Sequence, residues 1–391
     1  MVANFLTRRR AVRGQEVSEP TLLALALTLT GLTVLFAGLA AAIYAFSVLG
    51  HGWLVFALVA AVLVWLVVWP RRRSGGAGPP ATGRLACHLR LVRLARKAFT
   101  VALAGWLGLI VYAELTPGGQ PAEPKADPAA IRLITWNIHR GQDSGPPWKR
   151  LGWRTRKRAL QAALGQASPD LLCVQEALPE QVQFLEGVLP THHRLGVGRD
   201  DGRSAGQHCA IYFRRDRFEE ISGGTFWLEE PVDEPRPASA LGIKRICTWA
   251  RLRERDSGRV LRLYNAHFPP GPPGLPGIEG ARQSAARVLL AQLAAGDPDD
   301  AILLVGDLNA SPGSLSRRLF AQAGLADSAA LAGKPVGAAT FQLYGIRLRP
   351  LDAVLVAPRW RVHDHRILDV KPGNTFPSDH FGVVVDLALR D

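Results

Sequence analysis

The stretch "DLLCVQEA" carries an apolar run straight into Gln175 and Glu176, and five other stretches of the 391-residue chain are built alike. "LITWNIHRG" breaks at Asn137, "LRLYNAHFPP" at Asn265 and His267, and "AILLVGDLNASP" at Asp307 and Asn309. "RPLDAVLVAP" runs outward from Asp352, and "NTFPSDHFGVVV" sets Asp379 and His380 just before its apolar half. A lone Asp or Asn in such a place is a turn or a cap. Acids, amides and two histidines together at apolar termini ask for a shared site instead. Glu176, with Asp379 or Asp307 nearby, offers hard oxygen ligands for Mg²⁺ or Mn²⁺. A histidine beside a carboxylate is oriented and kept basic, able to activate water. Amides and a second histidine can hydrogen-bond phosphoryl oxygens as charge builds on them. The chain has no nucleophile-elbow Ser or Cys, no Gly-rich phosphate loop and no Cys/His cluster of zinc type. Metal-assisted attack by water fits these residues best.

Short strands must deliver those residues. Apolar runs of strand length lie at 131–136, 171–174, 209–213, 248–252, 260–264, 301–305, 352–356, 365–370 and 381–387. Helical patterns fall at 154–164, 180–185, 280–294 and 314–323, with turn and cap signals such as "SPD", "DPDD" and "SPGS" between elements. Strands interleaved with helices predict a single α/β core over residues 131–391, without internal repeats.

The first 116 residues differ in kind. No Asp, Glu, Lys or Arg occurs from Pro20 to Pro70. One helix of that length would run to roughly 77 Å, more than two hydrocarbon cores of about 30 Å. Two membrane spans at 21–49 and 53–69 are therefore expected, turning at Gly50, His51 and Gly52. A third apolar stretch, 98–115, is short for a span and is completed by bilayer thinning, or else lies in the interface as a surface helix. Arginines at 8–10 and 13 and again at 71–73 flank the first two spans, which places both clusters on the cytoplasmic face. Three crossings put all that follows outside the cytoplasm; two leave it inside. The Pro/Gly-rich segment 117–130 reads as a tether.

Residues 1–130 carry 13 basic and 5 acidic side chains, so they account for +8 of the chain's net +14. The remainder is only mildly basic, which permits a phosphate-bearing substrate without demanding nucleic acid. "WKRLGWRTRKR", from Trp148 to Arg158, is either a polyanion-binding edge with Trp stacking or a solvated helix start. The Pro-rich "PPGPPGLPG" after His267 is either a rim over the site or a surface insertion. Four cysteines make no disulfide framework. Cys173 reads as a buried thiol, and pairing of Cys209 with Cys247 is left open.

In order, "TWNIHRG", "PDLLCVQEA", "YNAHFP", "VGDLNASP", "LDAVLV" and "PSDHFGV" resemble the endonuclease/exonuclease/phosphatase superfamily of metal-dependent phosphoesterases. The resemblance covers essentially all of residues 131–391. It implies a four-layered α/β sandwich, two mixed β-sheets packed face to face with helices outside, here preceded by two or three transmembrane helices. By the same resemblance Asn137, Glu176 and Asp379 form the metal site for Mg²⁺ or Mn²⁺, with Asn137 also on the phosphate. His267 contacts the scissile phosphate, and Asp307 and Asn309 position the water and stabilise the pentacovalent state. Asp352 orients His380, a general base or electrostatic stabiliser. The abasic-site endonucleases of the superfamily carry a Tyr motif where this chain has "NAHFPP". The histidine form is closer to the deoxyribonuclease-like, sphingomyelinase-like and phosphatase branches.

The expected substrate is thus a phosphate ester: nucleic acid, a phospholipid headgroup or a small phosphoester. The competing reading is a non-catalytic, membrane-tethered domain that binds phosphorylated ligands. A transporter does not fit, because spans without internal charge build no pathway.

Overall fold

Period-two alternation within the apolar runs decides the architecture. In β1 (Ile131–Asn137), Ile131 and Leu133 pack into one hydrophobic cluster while Ile134 and Trp136 pack into another. Both faces are buried, so the strand lacks a solvated polar face; its one charged residue, Arg132, is buried and paired with Asp386. The computed structural model describes residues 127–141, 152–236, 242–271, 277–343 and 345–390, with 117–119, 123–125 and single positions at 97, 101 and 115.

The other strands are β2 (Leu171–Ala177), β3 (His192–Leu195), β4 (His208–Arg214), β5 (Phe218–Trp227), β6 (Ile246–Glu254), β7 (Val260–His267) and β8 (Ala301–Asp307). They are followed by β9 (Ala326–Asp327), β10 (Phe341–Leu343), β11 (Ile346–Arg349), β12 (Asp352–Val356), β13 (Trp360–Leu368) and β14 (Gly382–Leu389). Helices are α1 (Trp153–Ala167), α2 (Pro179–Val188), α3 (Ile278–Ala294), α4 (Leu315–Gln322) and α5 (Ser328–Leu331). One six-stranded sheet has the order β13-β14-β1-β2-β4-β3 and the other β5-β6-β7-β8-β12-β9. β1 and β2 are parallel, as are β7 and β8, and α1 and α3 make the crossovers those pairs require. The remaining pairings are antiparallel, so both sheets are mixed.

The sheets face each other across Leu133, Leu171, Ile211, Leu252, Leu263, Leu303 and Val354. α1 and α2 cover the outer face of the first sheet through Leu160, Leu164, Val182 and Leu185. α3 and α4 cover the second through Ala285, Leu289 and Phe320. These are the four layers that the motif resemblance implies.

Inner-face residues turn from apolar to polar along each central strand. β1 runs Leu133, Thr135, Asn137; β2 runs Leu171, Cys173, Gln175; β7 runs Leu263, Asn265, His267; β8 runs Leu303, Val305, Asp307. Register then aligns the polar ends. Asn137 lies opposite Gln175, His267 opposite Asp307, and Asp307 opposite Asp352. One row inward, Asn265 crosses between sheets: its Nδ2 donates to the carbonyls of Val174 and Ala210, both at 3.0 Å. Gln175 Nε2 returns a bond to Asn265 Oδ1 at 2.7 Å and another to Thr135 Oγ1 at 2.9 Å. Both polar atoms of the Asn265 amide and the Nε2 of Gln175 are thereby satisfied, while Gln175 Oε1 is left without a protein partner.

Several expectations need correction. β3, β5 and β9–β11 escape an apolar-run reading; β5 buries only Phe218, Phe226 and Trp227 of "FEEISGGTFW" and lies at a sheet edge. β13 begins at Trp360 rather than near 365, because only its two end residues are buried. Of "WKRLGWRTRKR", Trp153 and Arg156 are neither an exposed edge nor a solvated helix start. Arg156 is fully buried and donates to the carbonyls of Ile138, His139, Arg140 and Pro377, bracing the strand end that carries Asn137. Cys173, Cys209 and Cys247 are free and buried, and Cys209 Sγ leans on the Ile246 carbonyl at 3.6 Å. The Pro-rich loop is pinned at its start by Arg282, whose Nε donates to the Pro269 carbonyl at 3.0 Å; residues 272–276 lie outside the described residues.

The tether is partly docked. Gly119 N–H donates to the Asp369 carbonyl at 3.0 Å, so close that a Cβ there would overlap the Asp369 carboxylate. Lys125 Nζ meets Asp170 at 2.9 Å. The spans expected at 21–49, 53–69 and 98–115 lie outside the described residues but for isolated positions. Among the described residues no helix is long and apolar enough to cross a membrane.

Candidate active site

The first sheet contributes one half of the pocket. Asn137 Nδ2 donates to Glu176 Oε1 at 3.2 Å and to Asp307 Oδ2 at 3.0 Å, so one amide joins both halves. Strict alternation would send Glu176 to the outer face behind Gln175. Instead the β2–β4 register shifts between Val174 and Ala177, and Glu176 takes a left-handed φ of 64°. That strained backbone turns the carboxylate toward Asn137. His139 (φ 53°) and Asn309 (φ 49°) adopt the same uncommon conformation around the site. The loop before β14 supplies Asp379 and His380. It is fixed by Ser378 Oγ donating to the Asn137 carbonyl at 2.6 Å and by Trp136 Nε1 donating to the His380 carbonyl at 2.8 Å.

The second sheet supplies His267, Asp307 and Asp352 at neighbouring strand ends. Gly306 (φ 132°) lets β8 approach β7 before Asp307; a Cβ there would sit 2.0 Å from the Ala266 carbonyl oxygen. Asn309 N–H donates to Asp307 Oδ1 at 2.9 Å, and its side chain donates to the Phe268 carbonyl at 3.1 Å. His380 Nδ1 meets Asp352 Oδ2 at 2.7 Å, which leaves Nε2 facing Asp307 Oδ2 at 3.9 Å. His267 Nε2 stands 3.4 Å from that same oxygen. All eight residues expected at a site, Asn137, Glu176, His267, Asp307, Asn309, Asp352, Asp379 and His380, therefore belong to one linked group.

Their charges are strongly conditioned. Burial and the neighbouring Asp352 push the Asp307 carboxyl up to about 7, against the pull of His380 and Asn137. Burial alone would lower His380, but the carboxylates of Asp352, Asp307 and Asp379 outweigh it and raise the imidazole to about 10. His267 goes the other way: burial and the Arg245 guanidinium push it well below the ordinary histidine range. Burial also works against the Asp379 anion, yet the His139 hydrogen bond and nearby positive charges hold that carboxyl below the usual range. The pocket thus pairs a charged histidine with a neutral one, and a carboxyl that titrates near neutrality with one that stays ionised.

Two donor groups could take a cation. Asp307, Asp352 and His380 bring one ligand atom each within 4.8 Å of one another. Asp352 and His380 are already bound to each other, however, and a cation there would break a charge-assisted bond. Glu176 and Asp379 are better placed, their side chains 20% and 33% exposed to the pocket. His139 Nδ1 lies between them, 3.9 Å from Glu176 and 3.1 Å from Asp379. With the Asn137 amide beside Glu176, these carboxylates are the hard oxygen set that suits a divalent ion.

The sequence profile of the Endonuclease/Exonuclease/phosphatase family matches residues 134–380, from β1 through His380. The chain belongs to this family. Nocturnin of Drosophila melanogaster is 27% identical over 198 residues, which is 46% of this chain and 29% of that protein; the match spans under a third of the relative. Among solved structures, a mannosyl-6-phosphatase of Bacteroides thetaiotaomicron is 25% identical, with 66% of this chain and all of that one aligned at a TM-score of 0.60. The human nocturnin catalytic domain, solved with a bound sulfate anion, shares the fold at 20% identity and a TM-score of 0.54, over 66% of this chain and 93% of that one. As a member of the endonuclease/exonuclease/phosphatase family, the protein is a hydrolase acting on phosphoester bonds.

Sequence reading misses part of this family member's pocket. His139 lies inside the quoted "TWNIHRG" but carries no distinguishing pattern. Gln207 Nε2 approaches Glu176 Oε2 at 3.5 Å from a loop of Gly, Asp and Arg residues. Arg199 donates to Gln207, and Arg245 donates to the ring of His267. Neither arginine stands next to any quoted motif, and only the fold brings them in.

Proposed function

We propose that this phosphoesterase is membrane-anchored and divalent-metal-dependent, and that water attacks phosphorus directly. The reading rests on one observation above all: Asn137 ties Glu176 of the first sheet to Asp307 of the second, and Asp307 faces both His267 and the Asp352–His380 pair. Glu176, Asp379 and Asn137 would hold the cation. When bound, that cation supplies Lewis-acid charge to a phosphoryl oxygen.

The remaining chemistry belongs to the side chains. Asp307, raised toward neutrality and oriented by Asn309 N–H, is suited to accept the proton of an attacking water. His380, locked by Asp352 and charged, presents Nε2–H to oxygens gaining negative charge. His267 is neutral, because Arg245 donates to it and a ring nitrogen must accept. No protein nucleophile competes among the groups described. The Ser378 hydroxyl is committed to the Asn137 carbonyl, and burial pushes the Cys209 thiol up to about 12. The anchor is supported by the uncharged stretch from Pro20 to Pro70 and the flanking arginines.

A panel of phosphomonoesters and phosphodiesters is expected to be hydrolysed with Mg²⁺ or Mn²⁺, to survive intact in chelator, and to be hydrolysed again when metal is restored. A domain that only binds phosphorylated ligands would turn over nothing, and Glu176→Ala would leave its binding largely intact. For sidedness, a protease added to intact cells is expected to clip the tether near Pro117–Pro128. Full protection would support two spans and a cytoplasmic catalytic domain.

A further inference from the structure

Arg245 stands just before β6, is 5% exposed, and has no carboxylate partner among the described residues. Its Nη1 lies 2.9 Å and 3.0 Å from the two ring nitrogens of His267, and its buried Nε has no acceptor. Arg199 points into the same region. Its side chain is 19% exposed, its buried Nε also lacks a hydrogen-bond acceptor, and its nearest acid is Asp200 at 3.7 Å. The two guanidiniums feel each other: burial first, then Arg199, pushes Arg245 down to about 10. Glu176 and Asp307 offset part of this through space, but neither hydrogen-bonds the guanidinium, and a buried cation with an unpaired N–H beside a second cation is costly. The cost falls away when a bound anion completes the site.

We propose that Arg199 and Arg245 form an anion subsite beside His267 that receives the terminal oxygens of a phosphomonoester, so that monoesters rather than diesters are the preferred substrates. The proposal rests on the phosphoesterase reading above. A guanidinium fork matches a pair of phosphoryl oxygens. A monoester presents three non-bridging oxygens and nearly two negative charges, whereas a diester presents two oxygens and one charge. Both arginines are held by a buried apolar cluster of Cys209, Trp227 and Ile246: Ile246 follows Arg245 in the chain, and Trp227 Nε1 donates to the Arg199 carbonyl at 3.0 Å.

The test uses the full chain in detergent with Mg²⁺, comparing 4-nitrophenyl phosphate with bis(4-nitrophenyl) phosphate and using inorganic phosphate as inhibitor. The wild type is expected to favour the monoester at least tenfold in kcat/KM. Arg199→Gln and Arg245→Gln should each raise the monoester KM and the inhibition constant of phosphate by ~10- to 100-fold, the range for a lost hydrogen bond to a charged group. Monoester losses should exceed diester losses at least tenfold. Arg245→Lys should recover part of the loss, since it keeps the charge without the fork. If Arg245→Gln does not fold, Arg199→Gln and Arg245→Lys read the same ratio. Equal losses on both esters with phosphate inhibition unchanged would overturn the subsite, leaving the arginines as supports for His267. A wild-type preference for the diester would overturn it too. If phosphate binds through these arginines while neither ester is hydrolysed, the subsite stands and the phosphoesterase reading falls.

Discussion

Glu176→Ala and His380→Ala are each expected to lower kcat/KM by about 10²- to 10³-fold, the scale for losing a positioned base or a preorganised stabiliser. The two losses should arise differently. Glu176 belongs to the partly exposed oxygen set with Asp379, so its removal should weaken Mn²⁺ binding measured by calorimetry. His380 is committed to Asp352 on one side and faces Asp307 on the other, so its removal should reduce kcat and leave Mn²⁺ affinity close to wild type. Melting curves verify that each variant is folded. Substantial hydrolysis retained in both would remove the assignment of the site. Loss of Mn²⁺ affinity in His380→Ala with wild-type affinity in Glu176→Ala would instead move the cation to the Asp307–Asp352–His380 group.

Asp307→Asn should abolish most activity and at the same time stabilise the protein, more so at pH 8 than at pH 5. Burial first, and then the charge of Asp352, raises the Asp307 carboxyl to about 7 in the folded state. The unfolded chain releases that proton near pH 4, so between the two values the folded form holds a proton that the unfolded form has lost. Stability therefore falls as pH rises through this window, and the whole penalty is present above about 7. An uncharged Asn escapes it. The gain is on the order of 1–3 kcal/mol at pH 8, because neutralising Asp307 also withdraws one of the anions that support charged His380. His380 shifts stability in the same direction over a higher window: its favourable contribution is full below about pH 6.5 and fades toward 10. Melting temperatures in chelator at the two pH values decide the matter. A lower melting temperature for Asp307→Asn at pH 8 would show that its hydrogen bonds to Asn137 and Asn309 outweigh the cost of its charge.

Much of the fold was legible because the central strands are buried on both faces. Residues 352–356 coincide with β12, and the runs of β1, β2, β4, β7, β8 and β14 fall within one residue of their strands at the start, while β6 begins two residues before its expected run. Strand ends were underestimated for a physical reason. Gln175, Asn265, His267 and Asp307 continue the ladder as inward-pointing polar residues, where an apolar pattern stops. β5 was illegible because an edge strand with exposed Glu219 and Glu220 carries no apolar run. The site motifs were legible by residue type, but the turn that aims Glu176 lies in a backbone angle that no side-chain pattern announces. Arg199 and Arg245 were hidden for another reason: a single arginine in a loop has the same sequence signature whether it is solvated or buried against a histidine.

The amides that Asn265 and Gln175 exchange across the sheets lie directly beneath the catalytic floor. They set the span between the jaws as a spacer does in a caliper. A bulky ligand cannot prise the pocket wider without severing several buried bonds at once. Fit must therefore be found at the rim, and variants meant to admit larger leaving groups belong in the loops, with this hidden crossbar left alone.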